Sequence, residues 1–323
     1  MVEGDRYLRW LWDEQSRWSQ RADELKAGVN RNRRDVLVLV VAAAVLVTAS
    51  GPLAEVSPWI SRIAVGAALV CGSAAARKRM SLGRDRLAAW TRTRSVSESL
   101  KSLTYTYLAG VGPYRGDGAD ETLKSAVSEL LRSGSDLAAG ASTQAAVPRD
   151  LPAVWDVASY VTQRVDRQRD GYYEKQSRVM GDRADRFSRM ESLFFYIGAV
   201  LSAVILIFPG PWLAPWVAVL TTVSGAVAAH AAVQRYGALQ LEYAQAAHEL
   251  ERLVSSRRAL GGLTAEQLAA EDDGFVAAAE SVISNQNEAW MVSSLDAAQT
   301  SEKKTREAVT TVTQQAQSAA RKA

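Results

Sequence analysis

From Ser192 to Ala229 the chain runs 38 residues without an Asp, Glu, Lys or Arg. One crossing of a bilayer's hydrocarbon core takes about 20 mostly apolar residues, so this stretch is long enough for two helices and a turn. Its middle holds Pro209, Gly210, Pro211 and Pro215. Proline lacks the N–H that a helix interior uses, which ends one helix and lets another begin. The pattern predicts a membrane hairpin with helices over 192–208 and 212–234. The competing reading is a buried helical pair in a soluble core. Against it stand Arg183, Arg186 and Arg189 crowding the entrance, and Trp212 and Trp216 where an aromatic belt lies.

An earlier segment has the same plan. Val36 to Ala54 carries no charge, and Trp59 to Ala76 is apolar apart from Arg62. This predicts spans over 36–54 and 59–76, with Pro52 and Pro58 at the bend. Pro52 and Pro209, Pro58 and Pro215, and Trp59 and Trp216 are each 157 positions apart. Rare residues repeating at one offset point to a tandem duplication. Small residues recur every four positions at Ala64, Ala68, Gly72 and Ala76, and again along Thr221, Gly225 and Ala229. Such a stripe lets membrane helices approach closely, either inside each hairpin or between subunits around a shared axis.

The remainder is polar and helix-periodic. A first helix over 5–34 carries Leu8, Leu11, Gln15, Trp18, Ala22, Leu25 and Val29 on one seam, with Trp10 and Trp12 outside it. Helical segments follow over 77–132, 151–191, 235–260 and 275–291, before a polar tail over 301–323. The Ala/Ser/Gly-rich stretch before Pro148 divides the chain into a first two-span repeat, 1–147, and a second, 148–300. The fold class expected is all-α, with four membrane helices in two tandem hairpins. Basic collars at Arg31, Arg33, Arg34, Arg77, Lys78 and Arg79, against nearly uncharged bends, place the termini and polar helices on the cytoplasmic side.

Composition narrows the chemistry. Lys and Arg number 38 against 35 Asp and Glu, a net charge of +3 with no broad basic face, so nucleic acid is not an expected partner. One cysteine, Cys71, and two histidines, His230 and His248, supply neither a disulfide framework nor a zinc site, and no metal or cofactor is expected. The histidines are 18 residues apart, about 27 Å along a helix. His230, at the inner end of a span, is a snorkelling residue or a pore-mouth group, and Arg62 is an interfacial candidate. Glycines 110, 112, 116 and 118 fit neither GxGxxG nor a P-loop, and no strand precedes them. Catalysis is not expected.

Three further stretches carry a family resemblance: Glu98 to Tyr107 (ESLKSLTYTY), Tyr160 to Tyr173 (YVTQRVDRQRDGYY), and Glu280 with Glu288-Ala289-Trp290. With the hairpins, they resemble the SLATT superfamily of two-transmembrane effectors, which accompany SMODS nucleotidyltransferases and SLOG domains in bacterial conflict systems. The resemblance implies two tandem copies in a homo-oligomeric effector of the bacterial inner membrane. It would permeabilise the lipid bilayer on a nucleotide signal or a partner protein's cue. The alternative is a membrane-anchored helical scaffold that recruits a cytoplasmic partner.

Overall fold

A computed structural model of the chain describes residues 3–81, 84–208 and 214–284. Helix α1, Glu3–Val56, is 54 residues long, roughly 80 Å at 1.5 Å per residue. Sequence reading divides it into a polar helix and a span; it is one helix because nothing between Arg31 and Val36 interrupts helical propensity. Its polar part buries Leu8, Leu11, Gln15, Trp18, Ala22, Val29 and Asn32, with Leu25 packed beside them. That is the seam the three-four rhythm predicts. Gln15 is admitted because its Nε2 donates to Ser97 Oγ at 3.0 Å.

Helix α2, Pro58–Ser81, returns alongside α1, and α3, Arg84–Ala109, carries the chain back into the polar body. The first bend is tighter than the prolines suggest. Pro52 lies inside α1, Ser57 alone separates the two helices, and Pro58 opens α2, where a missing N–H costs nothing. Ser61 Oγ donates to the carbonyl of Ser50 at 2.7 Å and ties the two arms together.

After a 3₁₀ turn at Gly112–Tyr114 come α4, Ala119–Ser133, and α5, Ser135–Ser142. Gly110, Gly112, Gly116 and Gly118 all have positive φ, which accounts for the cluster as turn geometry. The amide of Gly112 donates to Asp273 Oδ1 at 2.7 Å, so a carboxylate of the chain itself occupies that loop.

Residues 143–156 bind along α1 as an extended strap. Trp12 Nε1 donates to Asp150 O at 3.0 Å, Val147 N to Ser16 Oγ at 3.1 Å, and the Arg149 guanidinium lies 3.7 Å over the Trp12 ring. The expected boundary near Pro148 is thus docked, and one core joins Trp12, Tyr105 and Val111 to Tyr160, Leu250 and Phe275.

A continuous helix spans Val157–Ile207. It begins six residues later than the sequence suggests, because Pro148 and Pro152 hold the chain extended and the side chain of Asp156 accepts from the amide of Ser159 in a capping box. It consists of α6, Val157–Tyr160, π-helical turns at Val161–Asp166 and Arg169–Glu174, and α7, Lys175–Ile207. A π turn shifts helical phase. A regular α-helical seam through Val161, Val165, Tyr172 and Val179 is therefore not kept, and Tyr160, Arg164, Val165, Tyr173 and Met180 are buried.

Helix α8, Ala214–Gln234, packs on α7 and α1, and Pro215 falls in its first turn. Pro209, assigned to the second bend, and Trp212, read as an aromatic-belt residue, lie outside the described residues. Arg235 turns the chain with φ 50° into α9, Tyr236–Arg258. The last helix among the described residues, α10, occupies 265–284. It starts ten residues before the expected 275 because Thr264 and Gln267 exchange capping hydrogen bonds; residues 285–291 lie outside the described residues.

Candidate functional site

Among the described residues, three helices are long and apolar enough to cross a membrane: α1, α2 and the helix ending in α7. The most apolar windows of α1 and α7 bury none of their residues within the protein. Leu69 and Val70 on α2, and Phe195, Val200 and Leu206 on α7, stand two-thirds or more exposed, or close to it, in an apolar band along each helix. In water such a band would exceed the apolar patches that soluble monomers tolerate. The soluble-core reading is therefore set aside. Near the first bend Trp59 is exposed, and the Arg62 guanidinium sits 5.5 Å from its ring centroid. Arg62 is thus held beside an aromatic residue at the end of its span.

The four-residue stripes are only partly packing faces. Ala64 and Ala68 are buried, but Gly72 and Ala76 are exposed, and the buried line continues through Ala75. Four-residue steps advance about 40° each around a helix, so a straight contact needs alternating three and four. On α8, Thr221 and Gly225 are exposed while Val219 and Val227 are buried; Trp216 is half-buried. The side chains of Ala229 and His230 lie outside the described ones. A Cβ added at Gly72 or Gly225 would meet nothing within 4 Å. Neither glycine marks a close helix approach within the protomer. Ala64 and Thr221, related by the 157-residue offset, differ in burial, so the hairpins do not present equivalent faces.

Beneath the spans, the stretches that carry the family resemblance meet. Arg164, in the first π turn, donates from Nε to Glu280 Oε1 and from Nη2 to Oε2, both at 2.9 Å. Tyr160 adds its hydroxyl to Oε1 at 2.9 Å, and Ser102 also donates to Glu280. Arg164 is 2 % exposed and Glu280 9 %. Burial raises the Glu280 pKa, but the Arg164 guanidinium and these hydrogen bonds outweigh it and hold the carboxyl below its ordinary value. Glu98 is treated alike: burial opposes ionisation, and Arg94, whose Nη2 is 2.7 Å away, prevails.

Around this pair Trp12, Tyr105, Tyr160 and Phe275 form a chain of edge contacts with centroids 6.1, 6.4 and 6.4 Å apart. The Arg164 guanidinium lies 5.0 Å from the Tyr105 ring, and its Nη1 is buried without a hydrogen-bond partner in the structure. Beside the pair opens a cleft of about 310 Å³, lined by Ser99, Ser102, Leu130, Arg164 and Glu280 among others. Lys101 is near; burial pulls its ammonium down to about 8, with Glu98 opposing.

Sequence reasoning named these stretches but did not pair them, since the π turns displace Arg164 from any regular seam. The available signal was a charge at 164 among the apolar Tyr160, Val161 and Val165. Glu288 and Trp290 lie outside the described residues.

The fold defines an all-helical membrane protein whose span-forming helices continue into one polar helical body. Residues 160–290 match the family model described as SMODS and SLOG-associating 2TM effector domain 1, and residues 15–121 match that of DUF4231, a protein of unknown function. Residues 160–290 thus carry a domain of the SLATT type, which points to a membrane-associated effector. The two halves match different models. Comparison with curated proteins and with solved structures found no match.

Proposed function

We propose that the protein is an oligomeric effector of a bacterial conflict system that permeabilises the inner membrane when triggered. The observation that carries this reading is the continuity of α1 and the Val157–Ile207 helix: each runs unbroken from the polar body, which holds the family's converging residues, into a charge-free span. Helix α8 has no Asp, Glu, Lys or Arg over its 21 residues and serves as a fourth span. The hairpins descend from a duplication whose copies have since diverged in packing.

The polar body and both termini lie in the cytoplasm, as the basic collars favour. The exposed faces bearing Gly72 and Gly225 meet neighbouring subunits and lipid. The trigger, a nucleotide or a partner protein, acts on the polar body. The cleft beside Arg164 and Glu280 is its point of contact, at the small end of ligand-pocket volumes. Changes there reach the membrane through the π turns, which precede α7 in the same helix.

Controlled expression in cells loaded with a potential-sensitive dye tests the proposal. Depolarisation under activating conditions is expected. A maintained potential, with the protein demonstrably inserted, would contradict it.

A further inference from the structure

Where α1, α7 and α8 leave their apolar stretches, Arg33 and Arg183 come together around Tyr236. Arg33, half-buried and three residues before the first span, donates from Nη1 to Gln234 Oε1 at 3.5 Å, and Gln234 ends α8. The Arg183 guanidinium, on α7, stands 6.0 Å from the ring centroid of Tyr236, which stacks on Phe187 at 5.3 Å. Asp35 is engaged by Lys78 at 2.8 Å and Glu242 by Arg235 at 3.6 Å, while Asp182 and Asp185, which flank Arg183 in sequence, make no ion pair with it. Among the described residues, neither Arg33 nor Arg183 has a carboxylate within ion-pair distance. Burial pulls the Arg33 pKa down, with the Tyr236 phenol opposing. A desolvated cation of this kind calls for a counter-ion.

We propose that Arg33, Gln234 and Arg183, arranged around Tyr236, form a site for the phosphate of an anionic phospholipid headgroup. A guanidinium matches phosphate oxygens with two parallel N–H donors. Basic pockets between membrane helices take such headgroups. The position favours a lipid over a soluble anion. Val36, three residues beyond Arg33, begins a charge-free run, and the acyl chains of a bound lipid continue along that run and α8.

The test is native mass spectrometry of the full-length protein in detergent, titrated with phosphatidylglycerol, phosphatidylcholine or inorganic phosphate. Phosphatidylglycerol adducts are expected to form preferentially. Arg33→Gln and Arg183→Gln should each weaken them about fivefold, equivalent to ~1 kcal/mol per cation at a membrane surface. Arg183 is exposed, so its variant keeps the fold even if Arg33→Gln does not. Arg178→Gln, which removes an exposed cation paired with Glu174, should change nothing. Equal adducts of the two lipids, or unweakened phosphatidylglycerol binding by Arg183→Gln, would overturn the site. Displacement of the lipid by inorganic phosphate at comparable concentration would overturn the lipid assignment.

Discussion

Arg164 and Glu280 hold three segments of the polar body in register, and the energetics of such a pair are asymmetric. Removing one partner strands a buried charge, which typically costs about 3–5 kcal/mol, whereas replacing both with apolar residues of similar volume is often neutral. Arg164→Met and Glu280→Leu should therefore each destabilise the protein by about that amount in chemical denaturation, and the double variant should recover most of the loss. Additive losses would mean that the two side chains act independently. Lys101 makes a separate prediction at this scale. Its folded pKa of about 8 lies below the ordinary lysine value of 10.5, so between those pH values the unfolded chain holds the extra proton. Stability must then rise with pH across that window, and the penalty for charging the buried ammonium is greatest below it. Lys101→Met should raise stability at neutral pH and flatten the rise. An unchanged slope would show that Lys101 is solvated.

At the scale of elements, two positions on the hairpins separate packing from exposure. Ala68 is 4 % exposed against α1, so Ala68→Leu should overpack the first hairpin and cost roughly 1–3 kcal/mol of protomer stability. Gly225→Leu meets open space and should leave protomer stability within about 1 kcal/mol while reducing oligomer formation. Unfolding measurements and native mass spectrometry in detergent read the two effects apart. Unchanged assembly of Gly225→Leu would make that face a lipid-facing one. These positions also mark how far the sequence was legible. The seam from Leu8 to Val29 could be read because a regular α-helix against a core repeats every three or four residues. The hairpins could be read because lipid forbids charge over a full span. The stripe reading left open what Gly72 and Ala76 pack against, and the structure leaves both exposed in the protomer because four-residue spacing drifts around a helix. The burial pattern beyond Val161 could not be read because π turns leave no mark in hydrophobic periodicity. The Arg164–Glu280 pair needed tertiary structure, since its partners are 116 residues apart.

For the whole molecule, α1 is the shared spine. It packs against α2 and α3 from its own half and against α8 from the other, and the strap at 143–156 binds the halves at Trp12 and Ser16. A motion begun in the polar body therefore has two continuous helical routes into the membrane, through α1 and through the π turns into α7. Ser202 and Thr221, polar groups of the second hairpin, spend their hydroxyls on backbone, donating to Gly198 O at 2.8 Å and to Val217 O at 3.0 Å. Permeabilisation on this account comes from assembled hairpins. The most direct measurement uses the purified full-length protein reconstituted into liposomes with an imposed potassium gradient and a potential-sensitive dye. The account predicts that the potential collapses, and that the collapse steepens with protein-to-lipid ratio as assembly requires. A potential that persists at every ratio, in vesicles where protease protection shows the hairpins inserted, would contradict it.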